Sequence, residues 1–158
     1  MNTLTVILMI RPMMLCDIPQ VVGLGHQMHK ESPIFRGNTF DPQKVTSLLQ
    51  HSLVAPQDMC VFVNSECDEL TGGIIGIAQE HWYGPDREAA DVALFIRKDK
   101  RGGMLAARLI RAYEKWAKKV GVTVVNLGVS TGIHVDKTAA LYERLGYSQP
   151  STNLRKKI

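Results

Sequence analysis

The stretch from Ile96 to Gly121 constrains the fold more than any other part of this sequence. It leaves an apolar run, passes through a basic turn with two adjacent glycines, and enters a segment of helical length. The apolar positions of that segment recur at helical spacing: Leu105, Leu109, Ala112 and Trp116. A second apolar run, 122–129, follows Gly121 directly. The order predicts a buried strand at 122–129, reached by a strand–helix–strand crossover, with Gly121 ending the helix.

The rest of the chain predicts strands and helices around this unit. The predicted strands are residues 3–10, ended by Arg11-Pro12, and residues 59–63, 72–82, 90–96, 122–129 and 153–158. The predicted helices are residues 18–30, capped by Asp17, residues 42–54, capped by Asp41, residues 102–120, and a last helix capped by Asp136 and ended by Gly146. This order predicts an α/β (α+β) fold with a central mixed sheet and helices on both faces.

Length and composition indicate one globular domain covering residues 1–158. The chain is 45% hydrophobic and 22% charged, which is ordinary for a domain with its own core. Cys16, Cys60 and Cys67 lack paired spacing, which favours reduced thiols and a cytoplasmic protein. The apolar run 4–10 is too short to span a bilayer and is interpreted as a strand rather than a targeting segment.

The turn after Ile96 is basic and suited to an anion. Arg97, Lys98, Lys100 and Arg101 put four cations into five residues of a chain with a formal net charge of +4. Free N–H groups at a helix start bind phosphate well, and glycine lets the backbone approach it. A solvated surface turn is the alternative interpretation. Nucleic acid is disfavoured because interleaved aromatic residues and known motifs are missing from the basic segment.

The stretch from Ala90 to Tyr147 resembles the GNAT superfamily of N-acetyltransferases. The residues that carry the resemblance are Ile96, then five positions later Arg101-Gly102-Gly103-Met104-Leu105-Ala106, and finally Leu141-Tyr142-Glu143-Arg144-Leu145-Gly146-Tyr147. The chain also resembles acetyltransferase-like proteins encoded by bacteriophages. The resemblance implies a mostly antiparallel sheet of six to seven strands and transfer of an acetyl group from acetyl-CoA to an amine of a protein or a small molecule, with no metal.

The same resemblance implies a set of site residues. Cofactor contacts are expected from Phe95, Ile96, Arg97, Arg101, Gly102, Gly103, Met104, Leu105 and Ala106. The Ile96 N–H would hold the thioester oxygen, Tyr142 would act as the acid, and Asp91 would act as the base through water. Tyr142 could instead pack against the sheet. Asp91 could be a sheet-edge charge or an ion-pair partner of Arg97 or Lys98, with Glu80 and Glu88 as reserve bases.

Strand alternation places Asp91, Ala93 and Phe95 on one face of the sheet. His26 and His29 lack a third metal ligand at a recognised spacing, which favours an ordinary helix face. Loop 32–40 is the expected contact for the acceptor. A homodimer remains open, and no membrane partner is expected.

Two positions depart from the family pattern. Met104 replaces a glycine of the loop, and Val135 replaces an asparagine before the tyrosine. These departures keep open the alternative of a degenerate domain that binds CoA or a protein partner without turnover.

Overall fold

A computed structural model describes residues 9–158, which form one mixed sheet with helices on both faces. The strands are β1 (Met9–Pro12), β2 (Met59–Glu66), β3 (Glu69–His81), β4 (Gly84–Ile96) and β5 (Val122–Asn126). The helices are α1 (Ile18–Glu31), α2 (Pro42–Val54), α3 (Leu105–Lys119) and α4 (Val135–Arg144). The strands lie side by side in chain order, antiparallel from β1 to β4 and parallel between β4 and β5. The predicted α/β class and the strand–helix–strand crossover are confirmed.

The predicted count of six to seven strands is wrong for the described residues, which form five. The strand expected at 153–158 is not formed, and those residues are exposed without regular structure. Pro150 and the cations Arg155, Lys156 and Lys157 leave this tail no apolar face to bury. Most of the strand predicted at 3–10 lies outside the described residues. The prediction that Arg11-Pro12 ends this strand is wrong, because β1 continues to Pro12. Proline is tolerated there because β1 is an edge strand.

The helix boundaries follow local chemistry. Asp41 caps α2, because its carboxylate accepts hydrogen bonds from the N–H groups of Gln43 at 2.9 Å and Lys44 at 3.1 Å. Gly121 follows α3 with φ +81°, the left-handed conformation that glycine adopts freely. The predicted cap of α4 is wrong: His134 occupies that position, and Asp136 lies inside the first turn.

Each face of the sheet has its own apolar core. The helices α3 and α4 cover one face, where the buried cluster includes Ile74, Ala89, Leu109, Tyr113 and Tyr142. The helices α1 and α2 cover the other face, where it includes Val21, Leu49, Val63, Ile75 and Phe95. The strand β4 therefore lies between two cores, and both faces of its second half are packed.

A β-bulge in β4 decides which way its side chains point. Asp91 pairs with Gly76 and Ala93 pairs with Ile75, so Val92 is left between them without a partner. One extra residue reverses the alternation, and Ala93 and Phe95 therefore face α1 and α2. Asp91 lies before the bulge and keeps the face of Ala89, toward α3. The prediction that Asp91, Ala93 and Phe95 share a face is wrong.

Gly76 lies where this face is packed most tightly. A Cβ added there would lie 2.4 and 2.6 Å from ring carbons of the fully buried Tyr113 and 3.1 Å from Cys60 Sγ. We expect Gly76→Ala to lower the free energy of unfolding by about 1–3 kcal/mol, because the ring has no space to move into.

Urea unfolding measures this effect. Gly23→Ala is the control, since the α1 position has nothing within 4 Å. It should raise the free energy of unfolding by about 0.5–1 kcal/mol through helix propensity. Equal stability of the two variants would contradict the tight contact at Gly76.

Candidate active site

A cleft opens where β4 and β5 part. Their parallel pairing runs from Arg87 opposite Val122 to Ala90 opposite Asn126. Beyond that point β4 continues to Ile96 paired with β3 but not with β5. The space has a volume of about 1030 Å³. Its walls are the second half of β4, the loops that precede α3 and α4, the face of α4, and the C-terminal end of α1.

Backbone groups of β4 point into this cleft. The Arg97 N–H donates to the Thr71 carbonyl at 2.8 Å, which fixes the hydrogen-bonding phase of the β3–β4 ladder. Pairing alternates along an antiparallel ladder, so the N–H and C=O groups of Leu94 and Ile96 point away from β3. The Ile96 carbonyl confirms the direction, because it accepts from Arg101 Nε at 3.0 Å. The Ile96 N–H was predicted from the sequence, but Leu94 was not, because its direction depends on the register of the β3–β4 pairing.

The loop between β4 and α3 presents the start of a helix to the cleft. Gly102 adopts φ +85°, and a Cβ at Gly102 or Gly103 would meet nothing within 4 Å. The helix begins at Leu105, so the N–H groups of its first turn have no intrahelical acceptor. Together with the helix dipole, these groups form an anion site.

The predicted cofactor residues do not all contribute side chains here. Phe95, Ile96, Arg101, Gly102, Gly103 and Ala106 line the cleft. Met104 is 63% exposed and points to solvent, while the Leu105 side chain packs against the position of Gly72. Arg97 is held outside the cleft by Asp99 at 2.7 Å and Glu69 at 3.0 Å. At Met104 and Leu105 only the backbone can contact a ligand in the cleft.

The cations of the basic turn are mostly paired. Arg101 donates from both terminal nitrogens to Glu31, at 2.6 and 2.7 Å, and Lys100 lies 2.5 Å from a carboxylate oxygen of Glu66. Lys98 lines the cleft, and α4 adds Lys137 and Arg144. The two α4 cations were not predicted from the sequence, although their spacing of seven residues places them on one helix face. The cleft is therefore basic on both walls.

Tyr142 is buried on α4 and lines the cleft. Burial raises the pKa of its phenol, and the nearby charge of Asp91 raises it further. The hydroxyls of the neighbouring tyrosines donate to protein acceptors: Tyr113 to the Asn126 carbonyl at 3.3 Å, and Tyr147 to Glu114 at 2.7 Å. Tyr142 is thus a protonated phenol at the wall of the cleft at neutral pH.

Asp91 lies at the point where the two strands part. Its carboxylate accepts from the Gly128 N–H at 2.8 Å, and it lines the cleft together with Tyr142. Burial raises the pKa of Asp91, partly offset by that hydrogen bond. The predicted alternative of an ion pair with Arg97 is wrong, since that guanidinium pairs with Asp99 and Glu69.

The reserve bases lie away from this cleft. Glu80 is exposed near the end of β3, and Glu88 accepts from Asn126 Nδ2 at 3.2 Å. The histidines of α1 contact an aromatic ring: His26 stacks on Phe40 with ring centroids 4.6 Å apart, and the tilted His29 ring lies 5.4 Å from it. Within residues 9–158 no group of three His, Cys, Asp or Glu side chains is arranged to hold a metal ion.

A family model described as the acetyltransferase (GNAT) family matches residues 26–147. The chain belongs to this family. The match spans both walls of the cleft, from the middle of α1 to the end of the α4 segment. No curated protein matches the chain significantly.

Solved structures of several acetyltransferases share the fold at low sequence identity. Glucosamine-6-phosphate N-acetyltransferase from Arabidopsis thaliana has a TM-score of 0.74 and 14% identity, covering 95% of this chain and 97% of its own. A ribosomal-protein-alanine N-acetyltransferase from Brucella melitensis biovar Abortus 2308 has a TM-score of 0.72 and 15% identity, covering 96% and 99%. An aminoglycoside acetyltransferase from an uncultured soil metagenomic sample, solved with sisomicin, has a TM-score of 0.70 and 17% identity, covering 96% of each chain. At these identities the likeness concerns the fold.

The two departures from the GNAT pattern leave the cleft open. Met104 points outward, so its side chain does not fill the space above Gly102 and Gly103. Val135 is 44% exposed at the start of α4. Within residues 9–158 no helix is long and apolar enough to cross a membrane.

Proposed function

We propose that this GNAT protein is an acetyl-CoA-dependent N-acetyltransferase that moves the acetyl group directly to an amine of a protein or a small molecule. One observation carries the proposal: the cleft between the parted strands joins a helix-start anion site to Asp91 and Tyr142. The proposal treats residues 1–158 as one domain. A cytoplasmic location is supported by the free thiols of Cys16, Cys60 and Cys67.

The cleft has the groups that acetyl-CoA requires. Its pyrophosphate would lie against the N–H groups of Gly102, Gly103 and the first turn of α3, with Lys98 and Arg101 nearby. The amides of its pantetheine arm would pair with the cleft-facing backbone of Leu94 and Ile96, as an added strand would. Lys137 and Arg144 supply charge on the opposite wall.

Acetyl-CoA supplies an acetyl group that is activated as a thioester. The Leu94 and Ile96 N–H groups lie two residues apart on the strand, so one of them donates to its carbonyl oxygen and the other remains for the pantetheine arm; the strand fixes both before the substrate arrives. Tyr142 keeps its proton and donates it to the departing sulfur, and Asp91 accepts a proton from the attacking amine, directly or through water. Neither side chain becomes acylated in this scheme.

Two measurements test the proposal. Calorimetry should detect binding of acetyl-CoA and CoA, and a panel of amines should include acceptors that release free thiol from acetyl-CoA. A protein that binds neither ligand contradicts the proposal. Binding without thiol release on any amine would favour the degenerate domain. The panel should include an aminoglycoside, a sugar amine and a peptide with a free N-terminus, which are the acceptor classes in the names of the solved relatives.

A carboxylate at the helix start should block the coenzyme. We expect Gly103→Glu to weaken acetyl-CoA binding at least about tenfold, or about 1.4 kcal/mol, since it places a negative charge in the anion site. The fold should be unaffected, because a Cβ at Gly103 meets nothing within 4 Å.

Gly84→Glu is the matched control for this variant. It makes the same charge change at another glycine with open space, at the distant end of β4. Calorimetry should find wild-type affinity for Gly84→Glu. Equal weakening in both variants would mean that net charge, rather than a site at Gly103, governs binding.

A further inference from the structure

The last residue of α1 reaches across to the phosphate loop. The Glu31 carboxylate receives both terminal nitrogens of Arg101, at 2.6 and 2.7 Å, in a two-pronged pair. Arg101 Nε donates at the same time to the Ile96 carbonyl at 3.0 Å. The guanidinium is therefore fixed between α1 and the end of β4. The ion pair with Arg101 keeps the pKa of Glu31 below its usual range.

The next residue reaches the other wall of the cleft. Ser32 is fully buried, and its hydroxyl donates to the Thr131 carbonyl at 2.5 Å. The same oxygen accepts from the N–H groups of Ile34 at 3.2 Å and Phe35 at 3.0 Å. Ser32 thus fixes the loop after α1 and attaches it to the loop that leads into α4.

The contact at Thr131 is closely packed. Gly132 adopts φ +70°, and a Cβ there would lie 2.9 Å from Pro33 and 3.1 Å from Ile34. No strand pairing connects β4 to the chain after Asn126, so the two walls are not joined by the sheet at this level. The Gly128 N–H donates to Asp91 of β4 at 2.8 Å, and two consecutive residues, Glu31 and Ser32, add a second connection between the walls.

We propose that Glu31 and Ser32 form a strap that sets the width of the cleft and so positions the two reacting groups on their separate walls. The inference rests on the proposed function, because it concerns the same cleft. The strap joins the phosphate loop on one wall to the loop before α4, the helix of Tyr142, on the other. Glu31 and Ser32 are positioning residues, since they act through Arg101 and Thr131.

The strap predicts a loss in turnover rather than in binding. The anion site and the β4 backbone remain when the strap is cut, so acetyl-CoA still has its main contacts. The distance from those contacts to Tyr142 is then held less tightly, and a displacement of about 1 Å can slow a reaction up to a hundredfold. Either end of the strap should suffice to release it.

The experiment compares Glu31→Gln, Ser32→Ala and the double variant. Each single change should lower kcat by about tenfold with the KM for acetyl-CoA changed less than about threefold, and the double variant should lose little more than either alone. In the protein without ligand, Glu31→Gln should also speed amide hydrogen exchange in residues 128–134, the segment that the strap reaches through Ser32 and Thr131. Glu31→Asp, which retains the charge, should recover part of the kcat.

Two controls match these changes. Glu69→Gln removes another carboxylate paired with an arginine, at 3.0 Å from Arg97, outside the cleft. Ser52→Ala removes another buried hydroxyl, which donates to the Leu49 carbonyl at 2.6 Å. Both should retain wild-type kcat and wild-type exchange in residues 128–134.

The outcomes separate the strap from the proposed function. An active wild type with unchanged kcat in the strap variants overturns the strap, as do losses that add fully or appear only in KM. A wild type that neither binds nor turns over acetyl-CoA overturns the proposed function. In that case the exchange data still decide, because unchanged exchange in residues 128–134 of Glu31→Gln would mean that no strap exists.

Discussion

Replacement of Tyr142 with phenylalanine should slow acetyl transfer by about a hundredfold or more and leave acetyl-CoA binding within about twofold. The phenol lines the cleft, and its raised pKa keeps the proton available at neutral pH. Phenylalanine preserves the buried ring and removes only the hydroxyl group that carries the proton. Single-turnover thiol release measures the chemical step, and calorimetry with CoA measures binding.

Tyr147→Phe is the matched control for this variant. The Tyr147 ring lies 6.1 Å from that of Tyr142, and its hydroxyl donates to Glu114 and does not line the cleft. The control should be somewhat less stable, because it loses the 2.7 Å hydrogen bond to Glu114. Its rate of thiol release should equal that of the wild type. Wild-type turnover in Tyr142→Phe would mean that Tyr142 only packs in the core. The departing thiolate would then take its proton from water.

The local parts of the fold could be predicted because short stretches of sequence determine them. Asp41 before Pro42 starts a helix through side-chain chemistry that operates within three residues, and Gly121 ends one through its own φ angle. The crossover between β4 and β5 followed from the order of elements alone. None of these predictions required knowledge of a distant neighbour.

Without the family resemblance, the site could be predicted only where a loop carries its own signal. Gly102 and Gly103 were identified from adjacent residues, but the direction of Asp91 depends on a bulge at Val92, which arises from pairing with β3. A bulge leaves no signature in an alternating apolar strand, so period two gave the wrong face. The pairing of Arg101 with Glu31 joins residues 70 positions apart and could not be read from the basic turn. Long-range contacts decide which of its cations face the cleft.

The Asp91→Asn variant should be more stable than the wild type at neutral pH and about a hundredfold or more slower in acetyl transfer. The pKa of Asp91 is raised in the folded protein above its ordinary value of 3.8, because burial penalises the charged form. The folded state therefore binds this proton more tightly than the unfolded state does. As the pH rises through the raised pKa, the buried group ionises and the free energy of unfolding falls.

Asparagine does not ionise, and its oxygen can still accept the Gly128 N–H that Asp91 accepts at 2.8 Å. The gain in Tm over the wild type should be clear at about pH 7.5 and should shrink as the pH falls below 3.8, the ordinary pKa, where Asp91 is protonated in both states. Thermal melts across this range measure the gain, and wild-type kcat/KM should fall in acid as the base takes up its proton. The Glu88→Gln control changes a carboxylate of the same strand outside the cleft and should keep wild-type turnover. Higher stability with unchanged turnover would mean that Asp91 only holds the loop at Gly128, and another group would have to accept the proton. Higher stability with lost turnover would show that the protein keeps a buried base although it lowers the free energy of unfolding.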